Sequence, residues 1–267
     1  MRGWLLALLV ALGSIGVGQG FVGGDILFDL AAGARRAGMA GVGVALASPD
    51  ALFANPAGLP WVEGVQILST YADLFGAAHL GAVSVAGAGF GGAGIGLDAG
   101  TVGPGLAFRA AGAVLGAGVR LGPVGAGVRA RLLRPIAPTA GIGGALDLAL
   151  LWRGPIHIGA VGRSVLSHAP VPNEAWPAEW AVGMALPVDV GGMTVTLAGD
   201  VSDVGGSPSF AVGGELGVGW LLVRAGYGPA GIAMGGTVGW GPFALDWALV
   251  LPPVLPLTFR VSFTVRL

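Results

Sequence analysis

The chain ends in Leu257-Thr258-Phe259-Arg260-Val261-Ser262-Phe263-Thr264-Val265-Arg266-Leu267. Large apolar side chains occupy every second position of this stretch, and threonine, serine or arginine lies between them. A period of two residues predicts a β-strand with one apolar and one polar face. In Phe243–Val250 and Leu146–Arg153, every second residue is again bulky and apolar, and the charged residues fall between. The sequence therefore predicts an all-β protein.

The composition indicates that the bulky faces of these strands meet lipid. Hydrophobic residues make up 54% of the chain, charged residues only 10%, and the mean hydropathy is +0.81. A soluble domain carries about 25% charged residues, and a soluble sandwich needs Lys and Glu outside, whereas this chain has no Lys and four Glu. Because an open sheet edge in lipid leaves backbone groups unpaired, the predicted fold is a closed transmembrane antiparallel β-barrel.

A bundle of membrane helices is the alternative for so apolar a chain. The two uncharged windows of sufficient length are Leu80–Leu97 and Ala225–Leu245, and the second contains seven glycines and two prolines. In a soluble helix, these residues cost about 1 kcal/mol per Gly and about 3 per Pro relative to Ala. Transmembrane helices tolerate them better, but seldom at this density. The helical alternative is therefore disfavoured.

The pattern predicts about fourteen strands, an even number as in bacterial barrels. Their predicted ranges are 65–75, 77–87, 92–101, 105–120, 124–133, 140–152, 155–166, 178–187, 192–202, 208–219, 221–227, 230–240, 242–250 and 257–267. The longest connections, 134–139, 167–177 and 251–256, all follow odd-numbered strands. In a barrel whose chain enters from the periplasm, these connections are extracellular, where longer loops are expected.

The first twenty residues have the layout of a secretory signal peptide. Met1-Arg2-Gly3 precedes the apolar run Trp4–Leu12, and small residues follow over Gly13–Gly20. Cleavage is expected after Gly18 or Gly20. An uncleaved anchor is the alternative, but nine apolar residues are too few to span a bilayer. The predicted organisation is a signal peptide at 1–20, an N-terminal segment at 21–60 and a barrel at 61–267.

The sequence carries no recognisable catalytic or cofactor motif. It lacks cysteine and has no basic run beyond Arg35-Arg36, so neither thiolate chemistry nor nucleic-acid binding is expected. The three histidines lack metal-ligand spacing. Gly89–Gly94 matches G-x-G-x-x-G without a βαβ unit around it. We therefore predict a protein that is not an enzyme and that binds no cofactor and no metal.

The segment before the first strand carries a second signal. Residues 38–59 read Gly-Met-Ala-Gly-Val-Gly-Val-Ala-Leu-Ala-Ser-Pro-Asp-Ala-Leu-Phe-Ala-Asn-Pro-Ala-Gly-Leu, an apolar, glycine-rich stretch that ends in Asn55-Pro56-Ala57-Gly58. Together with its lead-in at 33–41, it resembles the start of the FadL-type and PorV-type outer-membrane β-barrels, and is closer to PorV-like members. Further similar segments are Leu148–Leu166, Gly213–Leu216, Leu222–Tyr227, Leu245–Ala248 and Arg260–Phe263.

The resemblance implies a fourteen-stranded barrel with the N-terminal segment folded inside it as a plug. FadL members pass hydrophobic compounds, often laterally through the barrel wall, and PorV members serve type IX secretion and handle cargo proteins. The candidate residues for the plug or gate are Asn55, Pro56, Ala57, Gly58, Phe53 and Met39. The alternative role of Asn55–Gly58 is a structural turn that ends the plug and starts the first strand, since Asn, Pro and Gly favour turns.

Nine charged residues fall on the face that the alternation turns into the lumen. An arginine facing lipid at mid-depth costs about 2–4 kcal/mol, so we expect these side chains to point inward. They are Asp98, Arg129, Asp147, Arg163, Asp200, Glu215, Arg224, Asp246 and Arg260. They line a polar path or, as we favour, form Arg–carboxylate networks that hold barrel and plug together.

These observations lead to three functional hypotheses. The first is an outer-membrane channel for passive passage of hydrophobic small molecules, gated by the plug, whose partners are membrane lipids and a hydrophobic ligand. The second is a PorV-like barrel that docks secretion or envelope proteins. The third is a structural barrel with a closed lumen.

Overall fold

The computed structural model describes residues 21–22, 33–47, 50–89, 91–101, 107–136 and 141–267, with the backbone alone at 21–22, 97–101 and 107–108. The predicted signal peptide at 1–20, residues 23–32 and 48–49 of the predicted plug, and Phe90 of the glycine-rich hairpin lie outside this description.

Fourteen strands form the barrel, numbered in chain order. They are β1 Val65–Leu74, β2 Ala78–Gly87, β3 Gly91–Thr101, β4 Ala107–Leu121, β5 Val124–Pro135, β6 Gly143–Arg153, β7 His157–His168, β8 Glu179–Val190, β9 Met193–Ser202, β10 Ser209–Val218, β11 Leu221–Gly228, β12 Gly231–Trp240, β13 Phe243–Leu251 and β14 Thr258–Arg266.

Each barrel strand pairs with its neighbours in sequence, and β14 pairs antiparallel with β1 to close the barrel. The predicted fold class and the number of strands are therefore confirmed. The predicted end of the fifth strand, residue 133, was too early, because β5 continues to Pro135, which pairs with Ala110. Proline cannot donate to a sheet ladder, but at the last residue of a strand the missing donor costs little.

The two faces of the barrel wall differ as the alternation predicts. Large apolar side chains are exposed on the outer face, for example Ile95, Leu115, Leu197 and Ile232. The alternate residues point inward and are mostly small or polar, with leucine and valine on one side of the barrel, and the burial pattern of β13 alternates over Phe243–Val250. An apolar exterior around a closed hydrogen-bonded wall is the arrangement that lipid requires.

The connections differ in length between the two ends of the barrel. One end, here called the long-loop rim, carries the connections 136–142, 169–178, 203–208 and 252–257. The other end, the short-turn rim, carries turns such as Gly122-Pro123, Gly191-Gly192 and Gly241-Pro242, and Val62–Gly64 leads into β1 there. Gly122 and Gly241 adopt positive φ angles of 61° and 57°. The long connections thus share one rim, as expected from the sequence.

Three tryptophans predicted at strand ends lie on the outer surface of one rim. Trp152, Trp220 and Trp240 all lie at the short-turn rim and are exposed by 39%, 65% and 47%. Tryptophan favours the membrane–water interface, where the ring meets acyl chains and the indole N–H meets water or headgroups. The short-turn rim therefore has the aromatic girdle of a membrane boundary.

The helices all lie in the N-terminal part of the chain. They are α1 Ala34–Gly38, α2 Ala51–Ala54 and a 3-10 helix at Pro56–Trp61. We call residues 33–47 and 50–62 the inner segment, because nearly all of them are buried and contact the inward faces of the barrel strands. Among the described residues, no helix is long and apolar enough to cross a membrane. Outside the barrel, Phe21–Val22 pairs in parallel with Glu174–Ala175.

Whether the outer face spans the bilayer can be tested by placing an arginine at two different depths of the same strand. Leu197 lies in the middle of β9 and is 58% exposed, whereas Met193 begins the same strand on the same face. Leu197→Arg should lower the free energy of unfolding from lipid vesicles by about 2–4 kcal/mol, and Met193→Arg by about 0–1. Urea titration of the vesicle-inserted protein measures both. Equal costs would contradict a wall that spans the bilayer.

Candidate functional site

The inner segment follows the inside of the barrel wall around most of its circumference. Its first helix, α1, contacts β11, β12, β13 and β14. The chain then passes the inward faces of β10 and β8 on the way to α2, which contacts β3 and β4. The 3-10 helix contacts β4, β5 and β6. The candidate site is therefore the whole interface between this segment and the wall.

Glycines on the inward face of the wall make room for the backbone of the inner segment. A Cβ at Gly127 would overlap the peptide between Pro56 and Ala57, and a Cβ at Gly159 would overlap the carbonyl of Val44. Side chains at these two positions would therefore exclude the segment from its present place. The glycine content of the strands thus serves backbone-to-backbone contact inside the barrel.

The guanidinium of Arg129 joins the end of α2 to the wall. Its Nη1 donates to the carbonyl oxygens of Leu52, at 3.1 Å, and Phe53, and its Nε donates to Oδ2 of Asp147 at 2.6 Å. The carbonyls at the C-terminus of a short helix have no partners within the helix, so a cation there satisfies them and meets the negative end of the peptide dipoles. Both ionised side chains are buried, at 1% and 0% exposure.

The same carboxylate organises an irregularity in the wall. Oδ1 of Asp147 accepts from Nη2 of Arg131 at 2.8 Å and from the backbone N–H of Ser164 at 2.7 Å. Ser164 adopts a φ of 50°, and the pairing of β6 with β7 shifts register between Leu146 and Leu148. The extra residues of β7 are therefore held by a buried, multiply bonded carboxylate, as expected for a bulge with a defined structure.

The side chain of Asn55 ties two parts of the inner segment to each other and to β6. Its Nδ2 donates to the carbonyl of Val44 at 2.6 Å and to that of Leu150 at 3.2 Å. Its Oδ1 accepts from the N–H of Ala57 at 2.9 Å, which caps the 3-10 helix. An amide supplies two donors and an acceptor together, which a carboxylate or an alcohol cannot. Asn55 therefore fixes the fold of the segment as well as its position.

Residues 43 and 44 are held by a carboxylate of β9. Oδ2 of Asp200 accepts from the backbone N–H groups of Gly43 and Val44 at 2.7 and 3.0 Å. These two N–H groups lie between α1 and α2, where no helix supplies them with a partner. Buried backbone donors need a partner, and Asp200 provides it.

An arginine of α1 meets a network on β10, β11 and β13. Nε and Nη2 of Arg35 form paired bonds to the carboxylate of Glu215 at 3.0 and 2.9 Å. Glu215 also accepts from Arg224, whose Nη1 donates to Asp246 at 3.0 Å. Burial alone would lower the pKa of the Arg35 guanidinium, but the attraction of Glu215 raises that pKa above its usual value. Arg35 is therefore a permanently charged anchor.

The start of α1 is bonded to the last strand. Oγ of Ser262 accepts from the N–H of Ala34 at 2.8 Å and lies 2.9 Å from Oγ1 of Thr70 on β1. At the other end of the segment, Trp61 lies at the short-turn rim with the guanidinium carbons of Arg120 and Arg153 at 5.3 and 5.5 Å from its ring centroid. Arginine over an indole ring is a favourable cation–π contact.

The predicted site residues take the following places. Met39, Phe53, Asn55, Pro56, Ala57 and Gly58 are all buried in the inner segment. The charged residues Arg129, Asp147, Arg163, Asp200, Glu215, Arg224, Asp246 and Arg260 are buried on the inward face of the wall. Arg163 donates to Glu179 at 2.7 Å, at the edge of the interior. The backbone of Asp98 lies in β3, but its side chain is outside the described part of the structure.

The alternation left several contacts unpredicted. Arg131 lies two residues from Arg129 on the same strand, so strand parity already marked it as inward. Gly125 and Gly127 have that parity as well, and their lack of a side chain was the available signal. Arg35 follows no strand period, and nothing in its local sequence indicated Glu215 as its partner.

Apolar side chains form the rest of the interior on one side. Leu52, Phe53 and Leu59 of the inner segment pack with inward residues of β1 to β6, including Leu74, Leu80, Val114 and Leu133. The contact between the segment and this side of the wall is therefore made by hydrocarbon. Among the described residues, no group of three or more His, Asp or Glu is placed to hold a metal ion.

A shallow apolar groove marks the outer face of β8 to β11. It has a volume of about 770 Å³, and Met184, Leu197 and Tyr227 form its sides. Gly213 and Gly226 contribute to its lining, and Met39 of the inner segment lies directly behind both of them. At this place, one strand backbone separates the outer groove from the inner segment.

Solved structures share this fold at low sequence identity. The CymD monoaromatic hydrocarbon channel has a TM-score of 0.66 and 12% identity, over 89% of this chain and 98% of that chain. The P. putida toluene transporter TodX has a TM-score of 0.56 and 12% identity, over 88% of this chain and 98% of that one. These similarities concern the fold. No protein-family model and no curated relative matches the sequence.

Removal of the Arg129 anchor should loosen α2 and leave the barrel closed. Arg129→Ala leaves two helix-end carbonyls without this donor, while Asp147 keeps Arg131. We expect a loss of about 3 kcal/mol, the range for breaking a buried ion pair. Amide hydrogen exchange should accelerate over residues 50–58, with the strand amides unchanged. Arg134→Ala, an exposed arginine of the same strand, should change stability by less than about 0.5 kcal/mol. Unaltered exchange over 50–58 would show that Arg129 does not hold α2.

Gly127 should not tolerate a side chain, whereas Gly96, which also points inward, should tolerate one. Gly127→Ala forces the new methyl group against the peptide of Pro56 and Ala57, and overpacking of this kind costs about 1–3 kcal/mol. At Gly96, a Cβ would lie 3.6 Å or more from its neighbours, so Gly96→Ala should be neutral. Thermal unfolding of both variants measures the difference. Equal stability would contradict the seating of the segment on Gly127.

Proposed function

We propose that this protein is an outer-membrane channel for hydrophobic small molecules, in which the inner segment acts as a plug. The observation that carries the proposal is the apolar interface between this segment and the wall, where Leu52, Phe53 and Leu59 pack against inward residues such as Leu80 and Val114, and which would form the lining of a path if the segment moved. A polar solute gains nothing from such a surface, whereas burial of hydrocarbon is worth about 25 cal/mol per Å² of apolar area.

An outer-membrane location agrees with the architecture. Barrels with an even number of strands, an apolar belt and aromatic rims are the rule for bacterial outer-membrane proteins. The predicted signal peptide at 1–20 would deliver the chain across the inner membrane. CymD and TodX, which share the fold, are a monoaromatic hydrocarbon channel and a toluene transporter.

We propose that the two halves of the plug have different roles. Residues 51–59 are almost fully buried, and Asn55 and Arg129 bond them to the wall. By contrast, α1 is held by the bond from Ala34 to Ser262 and by Arg35, whose side chain is 25% exposed, and Gly41 is surrounded by open space on its Cβ side. The part around α1 and Met39 is thus the movable gate, and Asn55-Pro56-Ala57-Gly58 is the fixed base.

A disulfide across the gate tests this division. The Cβ of Met39 lies 3.0 Å from the Cβ position at Gly213, and disulfide-linked Cβ atoms lie about 3.5–4.5 Å apart, so a small shift suffices. The chain has no cysteine of its own, so Met39→Cys with Gly213→Cys forms a defined pair. Oxidised protein in proteoliposomes should take up radiolabelled toluene at least tenfold more slowly than reduced protein.

Two comparisons make the result decisive. The single variant Met39→Cys should be indifferent to oxidant, because it cannot form the internal link. Wild-type protein should exceed empty liposomes in uptake of toluene but not of a polar solute such as glucose. No excess uptake across a panel of hydrophobic compounds would refute the channel and favour a barrel with a closed lumen. Equal uptake by the oxidised and the reduced double variant would refute the role of α1 as the gate but would not refute the channel function. Docking of secretion proteins stays an untested prediction.

A further inference from the structure

A small apolar cavity opens at the long-loop rim, on the side of the barrel that holds α1. Its volume is about 300 Å³. Proline and aliphatic residues of the connections form its mouth, among them Pro229, Ala230, Pro253, Val254 and Leu255. These mouth residues are exposed. The cavity is therefore accessible from the solvent beyond this rim.

The inner wall of the cavity is buried and belongs to the barrel interior. It consists of Leu74 at the end of β1, Val250 at the end of β13, and Thr258 and Arg260 at the start of β14. All four are less than 10% exposed. Val250 also packs with Ala34, Ala37 and Ala40, which lie in or next to α1. The cavity thus leads from the rim to the residues against which α1 rests.

One polar group on this inner wall lacks a partner. The hydroxyl oxygen of Thr258 is buried, and within the described part of the chain no donor or acceptor lies within hydrogen-bond distance of it. A buried hydroxyl without a hydrogen bond costs about 1–3 kcal/mol in proteins. Thr258 lines the cavity together with aliphatic residues and Arg260, so a ligand with one oxygen atom that reaches this hydroxyl would satisfy it.

The charge nearby decides which kind of oxygen fits. Arg260 lies two residues from Thr258 on the same inward face and also lines the cavity. Because a guanidinium has donors and no acceptor, it favours the oxygen of a carbonyl or ether over a further donor group. Thr258 can donate its O–H to such an oxygen.

We infer that this rim cavity is a binding site for compact apolar molecules that carry one hydrogen-bond-accepting oxygen, with Thr258 as the residue that selects them. The inference rests on the proposed channel function, for which the cavity is the first stop before α1. Its volume lies at the lower end of the range of about 300–1,000 Å³ for small-ligand pockets, which suits a substituted ring rather than a long acyl chain.

Two fluorinated ligands of nearly equal shape test the selection. 4-Fluoroacetophenone carries the accepting oxygen, and 4-fluoro-α-methylstyrene has a methylene group in its place. Their dissociation constants are measured by fluorine NMR on the full chain in lipid nanodiscs, with empty nanodiscs subtracted. Wild-type protein should bind the ketone about two- to tenfold more tightly, the ratio that one net hydrogen bond supplies.

Three variants define the site. Thr258→Val keeps the shape and removes the hydroxyl, so the preference for the ketone should disappear while the affinity for 4-fluoro-α-methylstyrene stays the same. Thr264→Val is the matched control, a buried threonine of the same strand and face outside the cavity, and should retain the preference. Ala230→Trp fills the mouth from the exposed side and should abolish binding of both ligands.

The outcomes separate this inference from the channel function. Equal wild-type affinities, or a ketone preference that survives Thr258→Val, would overturn the oxygen selection even if toluene uptake is intact. Binding that survives Ala230→Trp would place the ligand elsewhere and overturn the site. Selective binding that Thr258→Val abolishes, with no uptake into proteoliposomes, would support the site and refute the channel.

Discussion

The constraint that governs this structure is the absence of water on the outer face of the sheet. Every N–H and C=O of a membrane-spanning strand must bond to another strand, and only closure of β14 onto β1 leaves no edge. Closure also decides which residues face lipid and which face the lumen, because successive side chains of a strand point to opposite faces. Charges such as Arg129 and Asp147 then have only the interior available, where they need partners. The ion-pair networks therefore follow from the closed sheet.

The interior of the barrel holds a second layer of chain, and glycine is what makes the two compatible. Inward positions such as Gly127 and Gly159 have no side chain, and the peptide groups of the segment therefore lie directly against the backbone of the wall. Backbone groups so close to the wall need specific bonds, since no water fits between them. Asn55, Asp200 and Arg129 provide these bonds from side chains. The wall thus recognises the main chain of the segment more than its side chains.

The strand pattern was readable from the sequence because lipid imposes a strong alternation. Stretches such as Phe259–Val265 are defined residue by residue, and the strand ends differ from the predicted ones by no more than three residues, as at Pro135 and His168. The site was less readable, because its contacts join residues far apart in sequence. Parity placed Glu215 and Arg224 side by side in principle, but only the fold brings Arg35 to them across 180 residues. Nothing in the local sequence predicted the left-handed backbone conformation of Ser164, because that conformation is held by a bond to Asp147 on the neighbouring strand.

The long sequence separations of the α1 contacts have a consequence for the order of folding. Ala34 bonds to Ser262, 228 residues later, so α1 cannot dock until the last strands are in place. Residues 50–62, in contrast, contact β3 to β6 and can be seated while the rest of the wall is still forming. Contacts of such sequence separation are slow to form. We therefore expect α1 to dock after residues 50–62 are seated on the wall. In the proposed channel, movement of the gate would therefore reverse this late docking of α1.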